Sequence, residues 1–438
     1  MAEERTRSSR AKLQVALDFV NMKRAMKVAE AAAKAGADIL EAGTPLIKSE
    51  GLNAVRELRA NFPNTRIVAD MKTMDAGRAE MEMAAKAGAN LAIVLGGASD
   101  TTIRECVRAG QNYGIEVGVD MIAVADAAAR AKQCQEWGAA VIGVHTAIDE
   151  QMTGGAQAFD RVRAVREAVS IPVAVAGGLN TETVVDAVQA GADIVIVGGA
   201  INKAADPEAA TRVILEAIAT LKPTRTDLYR RVGVENIREI LEKVSTPNIS
   251  DGHHRQPMVE GVKAIQSGLK MVGPAVTVRT YPGDWAKPVE AIDVANPGEV
   301  IVIDAGGVGP AVWGELATHS CLAKGLKGVV IDGAIRDTPD IREMKFPAFA
   351  RIITGQAGEP KGLGEINVPI TIGGIRVNPG DWVVGDDDGV IVLPKADVVE
   401  MTNRAMDCLE RENRIRAEID RGKTTLAQVT ELLKWEKK

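Results

Sequence analysis

The sequence contains few cysteines and carries no excess of positive charge. Its 438 residues include four cysteines, far apart and without CxxC spacing, which predicts isolated reduced thiols and a cytoplasmic location. Lysine and arginine number 53 against 59 acidic residues, so the formal charge of −6 argues against nucleic acid or a membrane surface as a partner. The charged start MAEERTRSSRAKLQ lacks the apolar core of a secretion signal, and no later uncharged run reaches roughly 18 apolar residues. We therefore expect a protein that acts on a small molecule.

Aromatic residues are also scarce, at 3% of the chain, so packing depends on Ala, Val, Ile and Leu. Such a composition suits parallel strands that are buried between helices. A chain of this length exceeds what one hydrophobic core usually supports. We therefore predict two domains, 1–222 and 223–438, joined near the segment KPT at 222–224.

A phrase of similar sequence occurs four times in the first half, at spacings of about 50 residues. Each copy indicates a helix that ends at a glycine and is followed at once by a buried strand. Four other apolar runs lie between the copies, which gives eight strand-helix units and favours a closed (β/α)8 barrel. An open doubly wound sheet is the alternative. The copies are AKAGADILEAG, AKAGANLAIVLGG, EWGAAVIGVH and VQAGADIVIVGG.

Polar residues stand where the predicted strands end, which is the catalytic face of such a barrel. They are Asp18, Glu41, Asp70, Lys72, Asp120 and His145. Asp70 and Lys72 are two residues apart on one extended strand, so both are expected to face the barrel mouth. Asp75 is expected in the following loop or as a helix cap. The alternative is structural: a capping Asp75 and a solvated Asp70–Lys72 pair.

Two glycine pairs end the seventh and eighth predicted strands: Gly177-Gly178 and Gly198-Gly199. At these strands many barrels bind a phosphate through backbone N–H groups, and glycine permits the close approach. Tight strand-to-helix turns are the alternative.

The first half resembles 3-hexulose-6-phosphate synthases, within the orotidine-monophosphate decarboxylase superfamily. The resemblance covers residues 11 to about 220 and is carried by LQVALD, EAGTPLIKSEG, DMKTMDAG, HTAIDEQ, VAGGL and VGGAI. It implies a reversible aldol reaction of formaldehyde with ribulose 5-phosphate that depends on Mg²⁺ (or Mn²⁺). Glu41 and Asp70 match metal ligands, Lys72 matches the group that stabilises the enediolate, and Asp75 matches a residue that reaches across a dimer interface. Histidine exchanges protons near neutral pH, so His145 is the candidate for proton transfer, and Asp18 completes the catalytic set.

The nearest rival is 3-keto-gulonate-6-phosphate decarboxylase, which shares the DxKxxD motif. Those relatives usually carry arginine after the last glycine of strand eight and again after the histidine. This sequence has Gly199 at the first place and TAIDEQ at the second, so the synthase is favoured.

The second half has a different sequence pattern, of short apolar runs separated by Pro-Gly turns. This pattern predicts a mixed α/β domain. The run IVIDAGGVGPA resembles a loop that binds S-adenosylmethionine, but no methyltransferase core surrounds it. In VVIDGAIRD a buried strand ends in Arg336 and Asp337. Arginine grips carboxylates and aspartate binds divalent metals, although a surface ion pair is the alternative. His253, His254 and His319 are taken as ordinary histidines because no ligand spacing connects them.

This half resembles the RraA-like family, which includes 4-hydroxy-4-methyl-2-oxoglutarate aldolases. The resembling segments, within 240–395, are STPNISD, VGPAVTV, GGVGPAVWGELAT, DGAIRD and PGDWVVGDDDGV. The resemblance implies substrate binding by Arg336, metal binding by Asp337, and Glu315 as the base where those aldolases often have Asp. It favours a metal-dependent oxo-acid lyase.

Some members of that family are inhibitors without catalysis, so a binding or assembly module is the alternative. We also expect a homo-oligomer, with dimeric barrels and possible trimers of the RraA-like domain. The helices predicted over 396–437 are expected to pack onto a neighbouring subunit.

Overall fold

The computed structural model describes residues 10–153, 159–226, 231–422 and 424–430. Two compact units share the chain. Among the described residues, one comprises 10–151, 159–226, 231, 410–422 and 424–430, and the other comprises 152–153 and 232–409. One boundary between the units lies at 231/232, and residues 410–422 and 424–430 belong to the first unit. The domain division at 222/223 stays a prediction. Residues 1–9, which hold most of the charged start, and residues 431–438 of the predicted terminal helices lie outside the described residues.

The first unit contains a closed barrel of eight parallel strands within the described residues. The barrel closes where the first strand pairs with the eighth, with Lys12 opposite Ile194. This closure confirms the predicted (β/α)8 barrel and excludes the open sheet. The strands are β1 (Lys12–Leu17), β2 (Ile39–Ala42), β3 (Arg66–Thr73), β4 (Leu91–Leu95), β5 (Glu116–Asp120), β6 (Val141–His145), β7 (Val173–Ala176) and β8 (Ile194–Val197).

The helices of this unit surround the strands and bury their apolar faces against them. The glycine repeat has the predicted role, since Gly36, Gly88, Gly138 and Gly191 all have left-handed φ angles, between 97° and 109°, at helix ends. The helices are α1 (Met22–Ala35), α2 (Thr44–Glu50), α3 (Asn53–Asn61), α4 (Gly77–Lys86), α5 (Asp100–Tyr113), α6 (Ala127–Glu136), α7 (Ile148–Met152), α8 (Phe159–Ala168), α9 (Thr183–Gln189), α10 (Gly199–Asn202) and α11 (Pro207–Thr220).

Strand β3 is irregular at its carboxyl end, where its pairing with β4 shifts register between Ala69 and Thr73. Lys72 has a φ of 46°, in the left-handed region that a residue with a β-carbon seldom occupies. Asp70 and Lys72 therefore do not lie on the regular extended strand that the sequence predicted. Both side chains still reach the same pocket, through a distorted strand end.

The second unit is a mixed α/β structure, as predicted, built on a nine-stranded sheet within the described residues. The central strands of that sheet run parallel, two antiparallel strands extend it at one edge, and a separate hairpin forms a two-stranded sheet. The strands are β9 (Lys263–Ala264), β10 (Met271–Arg279), β11 (Val300–Asp304), β12 (Ala311–Trp313), β13 (Gly328–Ile335), β14 (Ala348–Ile353), β15 (Glu365–Ile366), β16 (Ile370–Ile372), β17 (Ile375–Val377), β18 (Trp382–Asp386) and β19 (Gly389–Leu393). The helices are α12 (Ile237–Lys243), α13 (Thr246–Gly252), α14 (Ala286–Val294), α15 (Glu315–Lys324) and α16 (Thr338–Glu343), preceded by a 3₁₀ turn at Val234–Asn236.

The chain ends in a long helix, α17 (Val398–Gly422), followed by the short α18 (Leu426–Thr430). The prediction that this region packs onto a neighbouring subunit is wrong for the start of α17. Its residues Val398, Met401, Ala405 and Met406 are buried in an apolar cluster of their own chain. An amphipathic pattern indicates that a helix has a partner surface, but it does not say to which chain that surface belongs.

Across the described residues, every helix is too short or too polar to cross a lipid bilayer.

Candidate active site

The barrel mouth encloses a cavity of about 380 Å³ that reaches down between the strands. Its walls come from the carboxyl ends of the strands and from apolar side chains deeper in the barrel. Nearly every sequence-predicted residue of the first half lines this one cavity. Those residues are Asp18, Glu41, Asp70, Lys72, His145, Gly177, Gly178, Gly198 and Gly199.

A chain of charged contacts crosses this cavity. The Lys72 ammonium donates to Asp70 Oδ2 at 2.8 Å and lies 3.4 Å from Asp120 Oδ2. The same Asp120 oxygen lies 3.0 Å from His145 Nδ1. Four ionisable side chains from strands β3, β5 and β6 thus form one continuous network.

Asp120 is the centre of that network, although sequence reasoning gave it only a place at a strand end. Its Oδ1 also accepts the backbone N–H of Ile122, at 2.9 Å. Burial raises the pKa of this carboxyl. Three neighbours oppose burial and bring the pKa below its usual value: His145, through a hydrogen bond and its charge, the Lys72 charge and the Ile122 N–H. Asp120 is therefore held as a carboxylate, which orients the imidazole and the ammonium on either side of it.

Lys72 is held in its charged form. Burial tends to lower the pKa of this ammonium, but the carboxylates of Asp70 and Asp120, helped by the hydrogen bond to Asp70, raise it above the usual value. The side chain is therefore a fixed positive charge near neutral pH. It suits the stabilisation of an oxyanion, and it is unsuited to remove a proton.

Glu41 is buried in β2 on the cavity wall. Burial, followed by the negative charges of Asp70 and Asp18, raises the pKa of its carboxyl well above the usual value. Gln14 of β1 donates a hydrogen bond to Glu41 Oε2 and is itself buried. Sequence reasoning missed Gln14, and the available signal was a lone amide inside the apolar strand LQVAL.

Asp18 follows β1 and borders the same cavity while keeping a solvent-exposed surface. Loss of solvation among the surrounding protein atoms, followed by the negative charge of Asp70, raises the pKa of this carboxyl from 3.8 to about 6, against the opposing charges of Lys72 and His145. Three carboxyl groups, Asp18, Glu41 and Asp70, therefore lie close enough together that the negative charge of Asp70 disfavours ionisation of the other two.

The predicted glycine pairs form the rim at the ends of β7 and β8, and the second pair lies beside Asp18. Gly177 and Gly178 follow β7 with φ angles of 99° and 65°. A β-carbon at Gly177 would collide with the carbonyl oxygen of Thr146. One at Gly198 would lie 3.0 Å from Asp18 Oδ2. These turns therefore pack too closely against neighbouring segments to accept a side chain at Gly177 without rearrangement, and both glycine pairs line the cavity.

Asp75 is placed apart from these residues. It lies in the loop between β3 and α4, is exposed, and its Oδ1 accepts the backbone N–H of Ala76. It does not cap α4, whose first flanking residue is Ala76 in a left-handed conformation. Asp75 therefore does not line the cavity, and its suggested role across a dimer interface stays a prediction.

The donor set fits a hard divalent cation. No group of three or more His, Cys, Asp or Glu side chains suited to a metal occurs among the described residues. Mg²⁺, however, is commonly held by one or two carboxylates, with waters and substrate oxygens completing the shell. Glu41 and Asp70 would supply two such oxygen ligands. Burial and then the negative charge of Asp70 raise the pKa of Glu41, and a bound cation would offset both effects.

The second unit brings its predicted residues together at the end of β13. Arg336 Nε lies 3.3 Å from Asp337 Oδ2, and the same oxygen accepts the backbone N–H of Glu315 at 3.2 Å. His319, set aside as ordinary, lies one turn after Glu315 in α15 with Nε2 at 3.6 Å from its carboxylate. The i, i+4 spacing from Glu315 was the signal for this contact. All four side chains are partly or largely exposed.

In comparisons with known proteins, the two halves of the chain match different families. Residues 11–214 match the family model described as Orotidine 5'-phosphate decarboxylase / HUMPS family, and residues 246–392 match the one described as RraA-like, Aldolase/RraA. The barrel is 41% identical over 208 residues to the 3-hexulose-6-phosphate synthase of Mycobacterium gastri, covering 48% of this chain and all of that protein. The synthase of Methylomonas aminofaciens is 43% identical over 201 residues, covering 46% of this chain and 96% of that one.

A crystal structure of 3-hexulose-6-phosphate synthase from Salmonella typhimurium is 37% identical, with a TM-score of 0.46; it covers 48% of this chain and 100% of the other. The curated relatives named above are matched over almost their whole length by the barrel alone. The chain thus belongs to the Orotidine 5'-phosphate decarboxylase / HUMPS family through its barrel and carries an RraA-like domain in its second half.

Proposed function

We propose that the barrel is a Mg²⁺-dependent 3-hexulose-6-phosphate synthase that joins formaldehyde reversibly to ribulose 5-phosphate. The observation that carries this proposal is the network Asp70–Lys72–Asp120–His145 in the same cavity as Glu41. It combines a fixed positive charge, an oriented imidazole and an acidic metal-binding pair, which are the groups that a sugar enediolate requires.

His145 is the group that moves the proton. With Nδ1 hydrogen-bonded to the Asp120 carboxylate, Nε2 is the basic nitrogen of the neutral ring. It takes the proton from C1 of ribulose 5-phosphate, and the C–H electrons form the enediolate. C1 then bonds to the formaldehyde carbon, and the proton passes from His145 to the former carbonyl oxygen of formaldehyde, which becomes a hydroxyl.

Lys72 and the carboxylates hold the charge that develops. The Lys72 ammonium, kept protonated by Asp70 and Asp120, lies where it stabilises an enediolate oxygen. Glu41 and Asp70 would hold Mg²⁺, which when bound supplies positive charge to the two oxygens of the enediolate. The glycine turns after β7 and β8 offer backbone N–H groups to the phosphate of the substrate.

The test is consumption of formaldehyde by the purified chain with ribulose 5-phosphate, with and without a chelator. The proposal expects consumption that chelation stops and Mg²⁺ restores. Release of carbon dioxide from 3-keto-gulonate 6-phosphate, without formaldehyde consumption, would instead identify the decarboxylase.

For the second unit we propose a metal-dependent lyase that acts on an oxo-acid. Support comes from the adjacent Arg336 and Asp337, with Glu315 and His319 beside them. Arg336 would grip the substrate carboxylate, Asp337 would bind the cation, and Glu315 would act as the base. Cleavage of oxo-acid aldols by a full chain silenced in the barrel by Asp70→Ala tests this. A lack of Mg²⁺-dependent cleavage across a broad panel would favour a binding or assembly module.

A further inference from the structure

The last part of helix α17 belongs to the barrel unit and contacts the barrel at two places. One is the loop at 203–206, which follows β8 and α10. The other is Arg24 in the first turn of α1, directly after the loop at 18–21 that follows β1. Both loops lie at the catalytic end of the barrel. The contacts come from Glu410, Glu418 and Arg421, about 200 residues further along the chain than the last barrel strand.

The contact with the β8 loop is a buried ion pair. Glu410 is only 2% exposed, and its Oε2 lies 3.5 Å from the ammonium of Lys203. Lys203 directly follows α10, the short helix that begins at Gly199. Arg421 donates to the carbonyl oxygen of Ala205, at 2.9 Å. A buried carboxylate is stabilised by a nearby opposite charge, so this pair links the loop to α17.

The contact with the β1 loop is made through Arg24, in the first turn of α1. Both of its terminal nitrogens pair with the Glu418 carboxylate, one at 3.4 Å, and its guanidinium lies 5.7 Å from the ring centre of Phe19. Phe19 is the neighbour of Asp18. The terminal helix therefore holds the segment on which Asp18 stands.

The two loops are also packed against each other at the cavity. Asn202 donates to the carbonyl oxygen of Ala16 at 2.9 Å, and Gly198 approaches Asp18 so closely that a β-carbon there would lie 3.0 Å from its carboxylate. A displacement of either loop would consequently change the spacing between Asp18 and the glycine turn.

We propose that residues 410–421 are positioning residues of the barrel site, which hold the β1 and β8 loops at the spacing that the substrate phosphate requires. This inference rests on the proposed function for its kinetic readout. It adds that a segment beyond the second unit is needed for substrate binding by the first. Relatives that consist of the barrel alone lack this segment and must hold the two loops by other contacts.

The test uses the full chain with Glu410→Gln, Lys203→Met, the double variant and Glu418→Gln. Glu239→Gln is the matched control, because it removes an exposed ion pair with Lys243 in the second unit. The readouts are KM and kcat with ribulose 5-phosphate, and the rise in melting temperature caused by inorganic phosphate, which requires no turnover.

We expect each loop-contact variant to raise KM about tenfold while kcat changes less than about twofold, since binding rather than chemistry is affected. The double variant should be no worse than the worse single variant, because both remove the same pair. The phosphate-induced shift should fall in parallel, and the control should behave as the parent protein does.

Unchanged KM and phosphate response in folded variants would overturn the inference, as would equal losses in the control. Glu418 is partly exposed, so Glu418→Gln keeps the test open if the Glu410 variants do not fold. If the parent chain consumes no formaldehyde but its variants lose the phosphate response, the proposed function fails and the positioning role stands.

Discussion

The two charged clusters of this chain differ in how completely the protein organises them. In the barrel, Asp70, Lys72, Asp120 and His145 are largely buried and linked by contacts of 2.8 to 3.4 Å inside one cavity. At the end of β13, Arg336 and Asp337 keep 42% and 31% of their side chains exposed, with 3.3 Å between Arg336 Nε and Asp337 Oδ2. Burial in a low dielectric strengthens electrostatic effects and fixes geometry. The barrel site is thus preorganised, whereas the second cluster depends on a ligand or another surface to exclude water.

The sharpest test of that preorganisation is removal of its central charges. Asp70→Ala and Lys72→Ala should each lower kcat by about 10³-fold or more. Lys72 supplies the positive charge that faces the enediolate, and Asp70 holds both that ammonium and the proposed cation. Formaldehyde consumption measures the effect, with near-parental thermal unfolding as the control for folding. A rate close to that of the parent in either variant would contradict the assigned roles.

Asp120→Asn should lower kcat by about 10²-fold, which is less than the effect of Asp70→Ala or Lys72→Ala. The imidazole and the ammonium remain in this variant but lose the carboxylate that they share. The amide cannot hold His145 in one tautomer through its charge, so the acid limb of the pH–rate profile should also move. An unshifted profile with a normal rate would show that Asp120 has no orienting role.

Binding of Mg²⁺ should strengthen as pH rises. Because the pKa of Asp18 in the folded metal-free chain is about 6 rather than 3.8, and that of Glu41 is also raised, the protonated forms stabilise the fold at low pH. That stabilisation is lost as pH rises from about 4 through about 6. A cation binds the ionised carboxylates, and protons compete with it at low pH. The increase in melting temperature on adding Mg²⁺ should therefore be larger at pH 7.5 than at pH 5. Asp18→Asn should weaken this pH dependence, and a metal response independent of pH would contradict it.

The smallest effect is expected at the exposed cluster. Arg336→Ala should change the free energy of unfolding by about 1 kcal/mol or less, because an exposed ion pair contributes little.

A matched comparison within the same unit is Asp284→Ala. Asp284 is buried and accepts backbone N–H groups from Ala286, Lys361, Gly362 and Leu363. Its loss should cost about 3 kcal/mol by leaving those donors unpaired. Equal costs in urea unfolding would show that burial does not determine how much a charged side chain stabilises this unit.

Local pattern was enough to predict the barrel and most of its site. The helix-ending glycines and the strand-end residues Glu41, Asp70 and His145 follow from the regular alternation of strands and helices. The same reasoning failed where contacts join distant residues. It expected Lys72 on a regular strand, placed part of α17 on another subunit, and gave no role to Gln14 or Asp120.

The sequence by itself determined the order of elements and the residue types at each strand end, because these depend on short-range periodicity and turn chemistry. Only the tertiary structure decided that Asp120 joins Lys72 to His145, that Asp75 stays outside the cavity, and that Glu410 meets Lys203. Contacts of this kind depend on barrel closure and on the path of the returning chain. They lie beyond the reach of a pattern that repeats every few residues.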